Sequence, residues 1–315
     1  MDDEWDEGRD SQSEFASDAD HTSVSLAPVS SPQAAQPQTF RPKKRLAGIL
    51  FIATCLSTWL TGSAFFATNN SLNVQAGLSY SASLMAILMF HEMGHYLQAR
   101  RWNVPASLPY FIPMPMLGPF GTMGAVIVQG AGVADRRSLF DIAITGPLAG
   151  LVVAIPVTFY GISISEHLEI GEGAMVFSNP LLLEWMFAVV HEPLPPGHDM
   201  LLNPYLFAGW VGIFITGLNL IPIGQLDGGH ILYTLIGRRT HVVSYAVLAT
   251  AIAYMIVSSN YSFVLMIVLL LLMGPRHPPT ANDRVPLGWF RIIIGWLSLA
   301  FVFVGLTPEP LKMLS

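Results

Sequence analysis

Charge is what this chain has least of. Asp, Glu, Lys and Arg make up 11% of its 315 residues against 52% hydrophobic, and mean hydropathy is +0.51. A soluble domain carries about twice that charged fraction, so an ordinary water-soluble fold is excluded. Cysteine is nearly absent too: Cys55 stands alone in an apolar run, and disulfides play no part. The basic residues form small scattered clusters, which excludes a nucleic-acid footprint. Lys and Arg are missing altogether from 67–80, 161–204 and 258–261.

The net charge of −6 comes from one end, where nine acids between Asp2 and Asp20 face Arg9 alone. That stretch and the Ser/Gln/Pro-rich one after it lack apolar periodicity and are expected to be disordered to about Phe40. The first apolar run begins only after residue 45, so no cleavable signal peptide is expected. An organellar transit peptide is Arg-rich and acid-poor, the reverse of this tail. The expected address is a bacterial cytoplasmic membrane, with the lipid bilayer as the chain's surroundings.

Long apolar runs give the spans. They fall at Leu46–Phe66 and at about Ser81–Gln98, Leu139–Tyr160, Tyr205–Leu226 and Gly288–Leu306. A further apolar stretch, Val242–Met273, is split by "SSNY" (258–261) into two short spans. With the N-terminus cytoplasmic, seven alternating crossings put "RPKKR" (41–45), Arg100–Arg101, Arg136–Arg137, Arg238–Arg239, Arg276 and Arg284 inside. The outer loops are then the three stretches without Lys or Arg; Lys312 is the exception, and Arg291 can snorkel inward. Residues 103–132, "NVPASLPYFIPMPMLGPFGTMGAVIVQGAG", are too apolar for a cytoplasmic loop and too rich in proline for a helix. They read as a segment re-entering the membrane, with "GAVIVQ" (124–129) as a short strand, and as one wall of a cleft. The expected fold class is an α-helical polytopic membrane protein with about six to seven transmembrane helices and a short re-entrant β segment.

One span carries "HEMGH", residues 91–95. Ionisable groups at membrane depth cost several kcal/mol unless paired or bound. His91 and His95 are spaced i, i+4, so on a helix both imidazoles project from one face and can share a cation. In H-E-x-x-H the glutamate, here Glu92, serves as a general base on an activated water. The alternative is a pair of buried histidines bonded to backbone, with Glu92 as a partner. Gly94 allows close approach by another backbone. A catalytic zinc takes three protein ligands and an open position. Asp227, the only acid of the span that ends "GLNLIPIGQLDGGH", lies eleven residues before Arg238, and His95 five before Arg100. Both therefore sit shallowly near the cytoplasmic side. Pro222, Gly228 and Gly229 allow the backbone to turn there. Asp227 is either the third ligand or a helix-end residue meeting water.

His91-Glu92-x-x-His95, followed by Asn219-x-x-Pro222-x-x-x-Leu226-Asp227-Gly228-Gly229, resembles the site-2 protease family of intramembrane zinc metalloproteases. "GTMGA" (121–125) and "GPLAG" (146–150) resemble that family's middle region, and "RHPP" (276–279) is more weakly similar. The resemblance covers roughly Ser81 to His230. It implies helices packed around one Zn2+ per chain, held by His91, His95 and Asp227, with Glu92 as the catalytic base. Asn219 aligns with the asparagine that positions substrate or steadies the oxyanion. The implied activity is hydrolysis of a peptide bond in or next to a transmembrane segment of a membrane protein substrate. An anti-sigma factor or another single-span regulator suits a bacterial member. The strand at 124–129 is expected to pair with an unwound substrate by edge addition.

The chain then divides into a disordered acidic cytoplasmic tail (1–45), a first transmembrane helix and outer loop (46–80), a catalytic membrane core (81–230) and C-terminal transmembrane helices (231–315). The outer loop 161–204 is too short for the PDZ domain that many relatives carry, and with nine residues after Leu306 no C-terminal regulatory pair is expected. "HEPLP" (191–195) puts Pro195 where a second histidine belongs, so His191, with His198, is expected to bind metal only adventitiously. His230 is expected either to support Asp227 or to meet solvent, and Asp141 to cap its helix or pair with Arg137. Two other readings stay open: a metal transporter using the same His/Asp site, which requires a polar path to the outer side, and an inactive membrane scaffold.

Overall fold

The computed structural model describes residues 43–315 except 116–117, 131, 170–174, 194, 196, 259–262, 308 and 314–315. The acidic tail and most of the expected "SSNY" turn lie outside the described residues. In lipid a helix satisfies its own backbone, so the apolar runs become helices. The first is α1 (Lys44–Phe65), followed by α2 (Val74–Arg101). Asn73 caps α2 by accepting from Ala76 N. Thr58 meets Ser81 at 2.7 Å and Asn73 N donates to Ser63 O, so α1 and α2 run antiparallel.

The segment read as re-entrant is a β-hairpin, β1 (Tyr110–Pro113) and β2 (Thr122–Val126), paired Tyr110↔Val126 and Phe111↔Ala125 with a bulge before Pro113. β2 starts two residues before the expected strand and stops three short of its end. Residues 127–129 continue as irregular pairing, with Ser107 N donating to Val128 O and a bridge Ala106↔Gln129. Pro109, which has no N–H, interrupts the regular ladder there. The hairpin loop reaches far along α1 and α2. Ser57 donates to Gly121 O at 2.6 Å, and Tyr80 OH to Phe120 O at 2.9 Å. Gly121 has φ +75°, and a Cβ there would lie 2.7 Å from Thr61 Oγ1, so both conformation and space demand glycine.

Next is α3 (Arg136–Ser163), capped by Asp135, whose carboxylate accepts from Ser138 N at 2.7 Å. The expected plain outer loop is structured. It holds β3 (His167–Glu169), β4 (Met175–Phe177), a ten-residue helix α4 (Leu181–Val190) and β5 (His198–Met200), with β3 and β5 paired. The expected fourth span, Tyr205–Leu226, is helical only as α5 (Pro204–Asn219). Pro222 and Gly224, at φ +56°, break it, and α6 (Asp227–Ile236) starts afresh. A 3₁₀ turn leads into α7 (Thr240–Ser258), then α8 (Val264–Met273), α9 (Trp289–Gly305) and β6 (Leu311–Met313), which pairs with β4.

α2, α3 and α5 pack on one another at the centre. Their core holds Tyr80, Leu84, Phe207, Trp210 and Phe214, and Phe120 of the hairpin loop packs against the last three. Three stretches are long and apolar enough to cross a membrane: Lys44–Phe65, Arg136–Ser163 and Asp227–Ser258. The chain is a helical membrane protein.

Asp141 neither caps a helix nor pairs with Arg137. Arg291 of α9 grips it with two bonds, at 2.6 and 2.9 Å, while Arg137 donates to Pro286 O. Arg291 is thus anchored to the first turns of α3. Replacing Arg291 with Leu leaves Asp141 half-buried without its partner and should cost on the order of 3 kcal/mol. Asp141→Asn with Arg291→Leu should recover much of that, read as thermal unfolding of purified protein in detergent.

Candidate metal centre

His91, Glu92 and His95 lie on one stretch of α2 and are 3%, 5% and 6% exposed. The α-helical turn puts the two imidazoles side by side, with Nε2 atoms 3.2 Å apart. His95 Nδ1 lies 2.7 Å from Ile142 O, a pure acceptor, so Nδ1 carries the proton and Nε2 presents its lone pair. Asp227 Oδ2 lies 3.2 Å from both Nε2 atoms. The three donors therefore form a triangle of nearly equal sides. Two ligands bonded to one tetrahedral zinc at 2.0–2.1 Å sit about 3.3 Å apart. The triangle fits one face of such a coordination sphere, and two nitrogens with one carboxylate oxygen is a donor set zinc accepts. Among the described residues this is the one group of His, Cys, Asp and Glu so gathered.

Space for the two rings comes from α3. A Cβ on Gly146 would stand 2.0 Å from His95 Nε2, and one on Gly150 would stand 3.2 Å from His91 Cβ and Nδ1. The i, i+4 spacing of the glycines in "GPLAG" thus matches the i, i+4 spacing of the histidines they face. Gly94 of α2 meets α3 as well: a Cβ there would be 2.5 Å from Thr145 O. That is the close approach its sequence position suggested.

Asp227 is delivered by the break between α5 and α6. Gly228 and Gly229 fold α6 tightly back on the turn, where Cβ atoms would lie 2.0 Å from Leu220 O and 2.4 Å from Gly224 O. Ser244 of α7 donates to Pro222 O at 3.1 Å and ties the turn down. Asn219, the last residue of α5, places Nδ2 3.4 Å from His91 Nε2, bordering the same point. Glu92 lies within electrostatic reach of His91, His95 and Asp227. All five expected site residues are brought together.

Other expectations fare differently. His230 is half-buried one turn along α6 from Asp227, and its Nδ1 lies 2.6 Å from His277 Nε2. His191 meets Ile162 O at 3.0 Å. His277, in the weakly matching "RHPP", is buried against His230 and Tyr233 of α6 and was left without a role by sequence reasoning.

The description of peptidase family M50 matches residues 79–260, more than half of the chain. The curated relatives include the probable zinc metalloprotease EGY1, chloroplastic, of Arabidopsis thaliana, 27% identical over 75% of this chain and 43% of that one. EGY2, chloroplastic, of the same plant is 29% identical over 73% and 43%. A second EGY2, from Oryza sativa subsp. indica, is 26% identical over 88% and 52%. The chain spans about half the length of these relatives. No solved structure matches it.

The two glycines give a graded prediction. Gly146→Ala drives a methyl into a ring already fixed by Ile142 and should abolish metal retention. Gly150→Ala meets His91 at 3.2 Å and should weaken retention only partly. Elemental analysis of the purified variants reads both.

Proposed function

The chain belongs to peptidase family M50, and from that premise we propose that it is a zinc endopeptidase cutting a membrane-protein substrate in or next to a transmembrane segment. The observation that carries the reading is the 3.2 Å triangle of His91, His95 and Asp227 inside an apolar helix core, with Glu92 buried beside it.

His91 and His95 would hold zinc through Nε2 and Asp227 through Oδ2. When bound, zinc supplies Lewis acidity, polarising a carbonyl and acidifying water. Glu92 takes a proton from the attacking water on its carboxylate and passes it to the departing amine nitrogen. The Asn219 amide, beside His91, donates toward the oxygen on which negative charge develops. The Ile142 carbonyl holds His95 in its tautomer throughout.

A transmembrane helix hides its carbonyls in its own hydrogen bonds, so the substrate must unwind. Among the described residues β2 pairs only with β1, leaving its other edge to accept an extended segment. The substrate we infer is a single-span membrane protein. A transport path is disfavoured by the outer parts of α2 and α5, which bury Leu84, Ile87, Leu88, Trp210, Val211 and Phe214 and, as polar groups, little beyond the hydroxyls of Tyr80, Ser81 and Ser83.

Three ties bear on the number of crossings. β4 pairs with β6, Arg136 N donates to Asn282 O, and His241 Nε2 meets His277 O. Each requires an even number of crossings between its ends. This supports α7 and α8 as an out-and-back pair and seven crossings in all, although α8, ten residues and about 15 Å long, needs a thinned or polar-lined path. On the positive-inside pattern the basic loops and the site lie on the cytoplasmic side. The bacterial membrane is our proposal; the named relatives are chloroplast proteins.

The test uses purified protein in liposomes with a panel of tagged single-span substrates. Wild type should cleave and Glu92→Gln should lose about 10²–10⁴-fold in rate while keeping its zinc. Asn219→Ala should lose about 10²–10³-fold. Wild type without zinc after reconstitution, or cleavage undiminished in Glu92→Gln, would refute the assignment.

A further inference from the structure

Three histidines outside the metal triad gather next to it. His230 lies on α6 one turn beyond Asp227, His241 opens α7, and His277 sits in the loop between α8 and α9. That loop is mostly exposed, yet His277 is 5% exposed. Its hydrogen bonds have a direction. Nδ1 lies 2.5 Å from the Pro278 carbonyl, so Nδ1 carries the proton and donates. Burial pushes the His277 imidazole down to about 3, so the ring is neutral and Nε2 is an acceptor. It faces His230 Nδ1 at 2.6 Å, and His230 must therefore donate.

The loop that offers this acceptor is itself pinned. The His277 carbonyl receives His241 Nε2–H at 3.2 Å, and the ring stacks on Tyr233 of α6 at 4.2 Å. Tyr233 OH donates to Asp283 at 3.0 Å, and Ala281 N to Ala134 O at 2.9 Å. Asp227, His230 and Tyr233 follow one another at three-residue intervals along one side of α6.

Arg136 holds the far end of α6 through Thr234 O and Leu235 O, and Ser244 holds the turn before it; His277 takes the residue one turn beyond Asp227. His91 and His95 keep their mutual spacing through the helix they share. Asp227 keeps its distance to them only as long as α6 stays in one rotation and register. α6 is ten residues long, its N-cap Leu226 offers no side-chain bond, and a broken turn precedes it. We propose that His277 is a positioning residue of the metal centre, acting through His230 to hold α6 in the register that keeps Asp227 3.2 Å from both histidines. The inference rests on the zinc reading above and adds to it a residue fifty positions beyond the ligand it serves.

The experiment is zinc affinity of the full-length protein by chelator competition, with helix content followed by circular dichroism. His277→Ala should bind zinc about 10–100-fold more weakly than wild type at unchanged helix content. His277→Gln, whose side-chain carbonyl can accept the His230 proton in place of Nε2, should recover most of the loss. His230→Ala should lose as much as His277→Ala, and the double variant no more than either, because both remove one bond. If His277→Ala does not fold, His277→Gln and His230→Ala carry the same comparison. Affinity equal to wild type in His277→Ala, a Gln variant no better than Ala, or losses that add in the double variant would each overturn the proposal. Zinc held by wild type and His277→Ala alike overturns this inference alone. A wild type that holds none overturns the zinc reading and this inference with it.

Discussion

The structure depends on how closely α2 and α3 approach each other. Two histidines, a glutamate and an aspartate are tolerable among apolar helices only when they converge on one another or on a cation. Convergence needs room for two rings between backbones that are otherwise in contact. Gly146 and Gly150 vacate that room one turn apart, opposite His95 and His91, and Gly94 lets the helices touch at Thr145 O. Ile142 O, on the same stretch of α3, then fixes the His95 ring. α3 therefore shapes the site without supplying a ligand. Small residues are what bring membrane helices together where no hydrophobic drive exists between them, and here the same residues define the metal pocket.

The third corner of the triangle, Asp227, comes from the opposite strategy, a discontinuity. α5 is anchored at its N-terminal end, where Asn203 accepts from Tyr205 N and Leu206 N, and in the aromatic cluster of Phe207, Trp210 and Phe214. It stops at Asn219. A continuous helix would carry Asp227 two turns further along and point it by helical phase alone. The turn at Pro222 and Gly224 instead resets the phase, so Asn219 and Asp227 both border His91 Nε2 despite eight residues between them. Freed backbone in such a turn is tolerated because protein surrounds it: Gly228 lies against Leu220 O, and Ser244 bonds Pro222 O.

The gathering of His91, Glu92, His95, Asn219 and Asp227 was legible because such polar groups are improbable in apolar runs, and helical spacing already put His91 and His95 on one face. The break at Pro222 was legible from the residue that causes it. Less visible were features in which each half is ordinary on its own. Asp141 and Arg291 are 150 residues apart, and only packing of α3 against α9 chooses that pair over the nearer Arg137. The ten residues of α4 form an apolar run too short to register as a span, and β4 and β6 are three residues each, paired across nearly half of the chain. The span expected to run to Leu226 went too far because apolar composition continues through the turn and hides where the helix stops. His277 carried no signal beyond sitting in "RHPP", since its partner His230 lies 47 positions earlier.

The β1–β2 hairpin is fastened to the helices beside it. Where its loop enters β2 it is fastened by Ser57 to Gly121 O, by Tyr80 to Phe120 O and by Phe120 in the aromatic cluster. β1 lies beside α1, with Phe111 against Phe51, which leaves the free edge on β2. Unpaired backbone groups at membrane depth cost several kcal/mol each unless water or protein meets them. On the proposed reading, a substrate segment that unwinds for cleavage has the same deficit, having lost its helical hydrogen bonds. Edge pairing satisfies both at once, and the more of the ladder forms, the smaller the net cost of unwinding. A fixed edge serves this better than a mobile one, because the entropy of ordering it has already been met in the folding of the hairpin.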